Sequence, residues 1–204
     1  MTRQTGRDLT CPLVRGCAII SMRKAEEADI ERIWEIFQRV VARGDSYVFA
    51  PDASLDEARA YWLSPDFKTF VATLNDAVVG MYKLRPNNIG LGAHVSNASF
   101  MVDPDCQGRG IGKAMGLHCL EEARRDGYLA MQFNFVVSTN TPAVKLWQQL
   151  GFEIVGTLPK AFQHAELGLV DAYVMYRFLD ISLLTQPVRL KTFRPIPREE
   201  LHTR

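Results

Sequence analysis

The sequence predicts an α/β domain, and three observations point there. Strand-length apolar runs alternate with amphipathic helical runs, the helices carry their own start and stop signals, and a central strand breaks into a glycine-rich turn that opens at once into a helix. At 204 residues the chain can bury one substantial core. Its 47% hydrophobic and 23% charged content is that of a soluble globular protein, and 24 Lys+Arg against 23 Asp+Glu lacks the basic excess of a nucleic-acid binder.

Residues 1–16 have no periodicity and read as a flexible leader, so the domain spans 17–179 and residues 180–204, with Pro187, Pro195 and Pro197, form a C-terminal extension. The first strand is expected at 17–22. A helix follows in which Ile30, Ile33, Trp34, Phe37, Val40 and Val41 recur at three- and four-residue steps until Gly44. Ser54 and Glu57 form a capping box for a second helix at 55–63. Between these helices, Tyr47 and Phe49 either touch substrate or tuck onto the core. Strands at 69–74 and 78–84 flank an Asn75-Asp76 hairpin turn. The central strand runs from Val95 to Pro104, a helix with Met115, Leu120 and Ala123 in its apolar stripe ends at Gly127, and a strand covers 129–137. Thr141-Pro142 reads as an N-cap followed by Pro at the first helical position, with Gly151 as the stop. The last strands are expected at 152–158 and 172–179, joined through 159–171.

The turn is Gln107-Gly-Arg-Gly110-Ile-Gly112. Its glycines let backbone approach a ligand closely, and the unpaired first-turn amides at the positive end of the helix dipole suit a phosphate or pyrophosphate. A Walker A loop does not fit, because Gly108 is one residue too close to Gly112-Lys113 and Ala114 follows. A dinucleotide fingerprint does not fit either, since Lys113 and Met115 stand where glycine would be needed. The hexapeptide resembles the Gln/Arg-x-x-Gly-x-Gly/Ala signature of the GNAT superfamily of N-acetyltransferases, and Asn140 with the helix ending Leu150-Gly-Phe152 matches the block that follows it in that family.

The resemblance implies a mixed, mostly antiparallel sheet flanked by helices, with acetyl-CoA in a V between the fourth and fifth strands. Its pyrophosphate would meet Gln107, Gly108, Arg109, Gly110, Ile111, Gly112 and Lys113, its pantetheine arm would pair with Met101 and Val102, and Asn140 would contact it at the start of the next helix. The Met101 or Val102 amide would stabilise the oxyanion. Many relatives carry a Tyr acid where this chain has Trp147, an indole that cannot supply the proton, which leaves Ser138, Tyr173, Tyr176, solvent or no residue at all. A strand carboxylate is also missing, so His94 is the conventional base on that strand, against a purely structural role. Asn97 and Asn134 sit unusually in strands. They either grip the acceptor or satisfy a bulge or neighbouring backbone. Both match positions that handle the acceptor in a similar branch, shared by fungi and bacteria, which acetylates proline analogues such as azetidine-2-carboxylate.

The expected function is acetyl-CoA-dependent acetylation of a small-molecule amine, an amino acid or proline analogue among them. Acetylation of a protein N-terminus or lysine, and noncatalytic acyl-CoA binding, remain as alternatives. Partners are expected to exclude nucleic acid and membrane, with homodimers common in the superfamily. The four cysteines show no metal or disulfide spacing and read as reduced thiols. No apolar run approaches the roughly 20 residues of a membrane span and no apolar stretch marks a secretory signal, so the expected compartment is the cytoplasm.

Overall fold

The computed structural model describes residues 19–179, so the expected leader, the extension and the start of the predicted first strand lie outside the described residues. Seven strands form one sheet in the order β1-β2-β3-β4-β5-β7-β6. They are β1 (Ile20–Lys24), β2 (Lys68–Leu74), β3 (Ala77–Pro86), β4 (Val95–Val102), β5 (Ala130–Val137), β6 (Glu153–His164) and β7 (Gly168–Phe178). Every neighbouring pair is antiparallel except β4 and β5. The mixed, mostly antiparallel sheet is therefore as the sequence implied.

Helices cover both faces. On one side α1 (Ile30–Val41) and α2 (Leu55–Trp62) bury Ile33, Ile36, Phe37 and Trp62 against Val71, Met81 and Met101. On the other, α3 (Ile111–Arg125) and α4 (Thr141–Gln149) bury Met115, Leu120 and Trp147 against Tyr82, Phe133 and Met175. The capping box is present, with Ser54 Oγ accepting from the Glu57 amide while the Glu57 carboxylate accepts from the Ser54 amide. Asn75 and Asp76 both take positive φ, 49° and 64°, as a tight hairpin turn between right-twisted strands requires.

Three details correct the sequence reading. The cap of α4 is Asn140, whose Oδ1 accepts from the Ala143 amide at 3.3 Å, so Thr141 and Pro142 fill the first two helical positions. The last two strands run on through the expected connection to a turn at 165–167. Pro159 breaks their pairing between Leu158 and Phe162 without ending it, because Lys160 takes φ 51° and gives its N–H to Asp171 Oδ1 at 2.8 Å. Finally, Cys119 is a buried free thiol, but Cys106 is disulfide-bonded rather than reduced.

Candidate active site

The sheet opens where its one parallel junction among the described strands runs out. β4 and β5 pair only at Val95 with Ala130 and Ser96 with Met131. Side chains then finish the joint: Ser96 Oγ donates to Ala130 O at 3.0 Å and Asn97 Nδ2 to Gln132 O at 2.9 Å. Beyond them a bulge in β5 between Phe133 and Val136 bends that strand, as an extra residue in one strand does.

Two cavities meet at this opening. The larger, about 560 Å³, is lined by the 107–113 turn, the end of β4 and the start of α4. Gly108 and Gly110 hold φ of 73° and 80°, a left-handed region natural to glycine, and a Cβ built on either meets no atom within 4 Å. The space in front of the turn is therefore open to a ligand. The Ala114 amide returns to Gly110 O, which leaves the amides of Ile111, Gly112 and Lys113 as the first-turn donors that an anion can take. Of the expected cofactor contacts, Gln107, Gly108, Gly110, Ile111, Gly112, Lys113, Met101, Val102 and Asn140 line this cavity; Arg109 belongs to the turn but does not line it.

The edge of β4 narrows the expected backbone contacts. Asp103 N–H donates to Val79 O and Phe100 N–H donates to Tyr47 Oη at 3.1 Å. Backbone groups alternate sides along a strand, so the Met101 amide turns into the β3 ladder and those of Phe100 and Val102 face the opening. Val102, not Met101, has the amide an extended arm could meet there.

The smaller cavity, about 250 Å³, lies beside the α1–α2 loop. Tyr47, Phe100, Asn140 and Trp147 line both cavities and mark their junction. The two loop aromatics thus divide the alternatives between them. Phe49 packs on Phe37 and Tyr61 at 5.0 and 4.7 Å, whereas Tyr47 donates to Phe100 O at 2.5 Å at the mouth of the opening. Trp147 packs tilted against Phe100 and Phe133 at 4.7 and 4.8 Å. None of Ser138, Tyr173 and Tyr176 lines either cavity; the phenol at the junction is Tyr47.

Asn97 and Asn134 do come together in the smaller cavity. Each is also engaged in protein contacts, Asn97 with the Gln132 carbonyl and Asn134 with Asn87 Oδ1 and Gln132 Nε2, both at 2.7 Å. His94 is not with them. It is exposed before β4 begins, at the closed end of the junction, with Nδ1 against Leu91 O at 3.0 Å, and it lines neither cavity. The strand start is separated from the opening by the paired residues Val95 and Ser96.

Two cations of this cavity escaped the sequence reading, Lys83 and Arg85 on β3. Among the described residues, no Asp or Glu lines it. Lys83 is only 4% exposed, its Nζ donating to Tyr61 O at 2.9 Å and lying over the Tyr61 ring. Burial, and then the charge of Arg85, lower its pKa to about 7. Burial raises the pKa of Tyr47 and Tyr61, so both phenols stay neutral. A lysine inside an apolar strand run, at a position facing α2, was the available signal.

The model of the Acetyltransferase (GNAT) family matches residues 24–152. A solved GCN5-related N-acetyltransferase from Kribbella flavida is 42% identical, with a TM-score of 0.75, over 78% of this chain and 97% of that one. N-acetyltransferase aca1 of Schizosaccharomyces pombe is 32% identical over 117 residues, and the match spans little more than half of each chain, 56%. L-amino acid N-acetyltransferase AaaT of Escherichia coli is 32% identical over 116 residues, 55% of this chain and 69% of AaaT.

Proposed function

The chain belongs to the GNAT family of acetyltransferases, and from that premise we propose that it transfers the acetyl group of acetyl-CoA to a small amine that also carries a carboxylate, an amino acid or a cyclic analogue, by direct attack in a ternary complex. The observation that carries the substrate class is the charge of the smaller cavity, where the Arg85 guanidinium meets no acidic partner in the lining among the described residues. Such a site attracts a carboxylate and repels polyamines, aminoglycosides and lysine side chains. The name of AaaT, an L-amino acid N-acetyltransferase, agrees with this class.

The larger cavity fits the donor. Its glycines leave room for a pyrophosphate against the first-turn amides of α3, and the open edge of β4 offers the Val102 carbonyl to an extended arm. Acetyl-CoA would supply an activated acyl carbon at the junction of the cavities. There the chain orients the amine, presents the Val102 N–H toward developing oxyanion charge and screens the site from water behind Tyr47 and Trp147.

Free-thiol release from acetyl-CoA, with products identified by mass, tests the reading across amino acids, proline analogues, their carboxamides, polyamines, aminoglycosides and short peptides. Turnover of carboxylates with at least about tenfold loss on amidation is expected, the size of a lost charged hydrogen bond. Turnover of peptides or polyamines alone would overturn it in favour of a protein or polyamine acceptor.

A further inference from the structure

We propose that Lys83 is the base that takes the proton from the acceptor amine. The proposal rests on the small-amine acetyltransferase reading above and deepens it. The ionisable groups lining the smaller cavity are Tyr47, Tyr61, Lys83 and Arg85. A guanidinium does not give up its proton in a protein, the oxygen of a neutral phenol is a weak base, and the amides of Asn97 and Asn134 are not basic at all. Lys83 is the lining group with a lone pair to offer once it is neutral.

Its surroundings favour that role. Lys83 stands on β3 with Nζ 3.0 Å from the centroid of the Tyr61 ring and 4.6 Å from that of Phe67. The charged and titratable groups facing it are Arg85 on its own strand, Tyr61 on α2 and Tyr47 on the α1–α2 loop, and Thr69 opposite it on β2 is neutral. No carboxylate lines this cavity among the described residues. With its pKa lowered to about 7, chiefly by burial, the amine is neutral in roughly half the molecules at pH 7 and in more as pH rises. The aromatic faces then favour the ammonium that proton transfer creates.

The step balances. The substrate ammonium gives one proton to the neutral Lys83 amine, and the freed nitrogen lone pair attacks the thioester carbonyl carbon. A C–N bond forms, the C–S bond breaks, and the second amine proton ends on the departing sulfur. Amide and thiol are the products, and Lys83 releases its proton to water before the next turnover.

The test is the pH dependence of acceptor kcat/KM for an amino acid that the wild-type protein acetylates. The wild type should show an acidic limb near pH 7. In Lys83→Met that limb should disappear, with kcat/KM at pH 7 falling about a hundredfold or more, the scale of general-base catalysis, while acetyl-CoA affinity by calorimetry holds. Lys83→Arg keeps the charge but cannot act as a base, so it should be as impaired as Lys83→Met; an active Arg variant would mean that Lys83 serves only as a cation and would overturn the proposal. If the variants do not fold, NMR titration of Nζ in wild-type protein decides, with a midpoint near 7 supporting the role and one above about 9.5 overturning it. The two readings fail differently. Turnover indifferent to Lys83 removes the base alone, whereas no wild-type turnover of any carboxylate-bearing amine removes the substrate class and the base with it.

Discussion

The two cavities that meet at Tyr47 and Trp147 are made of different material. The larger is mostly backbone: a turn held by Gly108 and Gly110, the first amides of α3 and the open edge of β4. The smaller is mostly side chain, with Lys83 and Arg85 from β3, Asn97 from β4, Asn134 from a bulge in β5 and Tyr61 from α2. A backbone site persists while the turn geometry persists, and it needs glycine more than any functional group. A side-chain site can be rebuilt residue by residue on an unchanged sheet, which is how one fold serves many acceptors.

The sharpest way to break this contrast is Gly110→Asp. The substitution puts a side chain and a negative charge into the empty space before the turn at φ 80°, a conformation costing an L-residue about 1–2 kcal/mol. Acetyl-CoA affinity should fall by roughly a hundredfold, measured by calorimetry on protein whose circular dichroism is unchanged; wild-type affinity would move the pyrophosphate elsewhere. Arg85→Met should act on the other cavity alone. Losing a charged hydrogen bond of about 1.5–3 kcal/mol raises acceptor KM roughly ten- to a hundredfold, with KM for acetyl-CoA held. If both constants move together, the two cavities are not independent.

Asn134→Ala sharpens the comparison with the smallest change. Asn134 already spends its amide on Asn87 and Gln132, so its loss should lower acceptor kcat/KM by roughly three- to tenfold, the worth of one neutral hydrogen bond, without weakening acetyl-CoA. Wild-type kinetics would confine Asn134 to bracing the bulge.

The same division explains what the sequence made legible. The capping box of α2, the Asn75-Asp76 turn and the glycine turn after β4 are local, and each can be read from a few adjacent residues. The β6–β7 hairpin was cut short because Pro159 is a breaker in isolation, and what keeps the strand going is Asp171, eleven residues away, accepting from Lys160. Lys83 was hidden for a similar reason. Its neighbours Tyr82 and Leu84 make an apolar run, and only the packing of α2 over β3 shows a lysine held among rings. His94 shows the converse, since lying on the strand that leads to the central turn does not say which end of the β4–β5 junction a residue occupies.

That junction also has a mechanical meaning. Everything from β1 to β4 is joined in the sheet to β5, β6 and β7 through two residue pairs, with Ser96 and Asn97 as side-chain fasteners. An enclosed edge in mid-sheet is where hydrogen bonding between the halves is thinnest, so opening fluctuations should concentrate there. A ligand arm lying along the open edge at Val102 would add rungs the strands leave unmade, and by mass action its binding would stabilise the closed sheet over the parted one. A donor bound there would be part of the masonry, and each turnover would loosen the wall it had just held together.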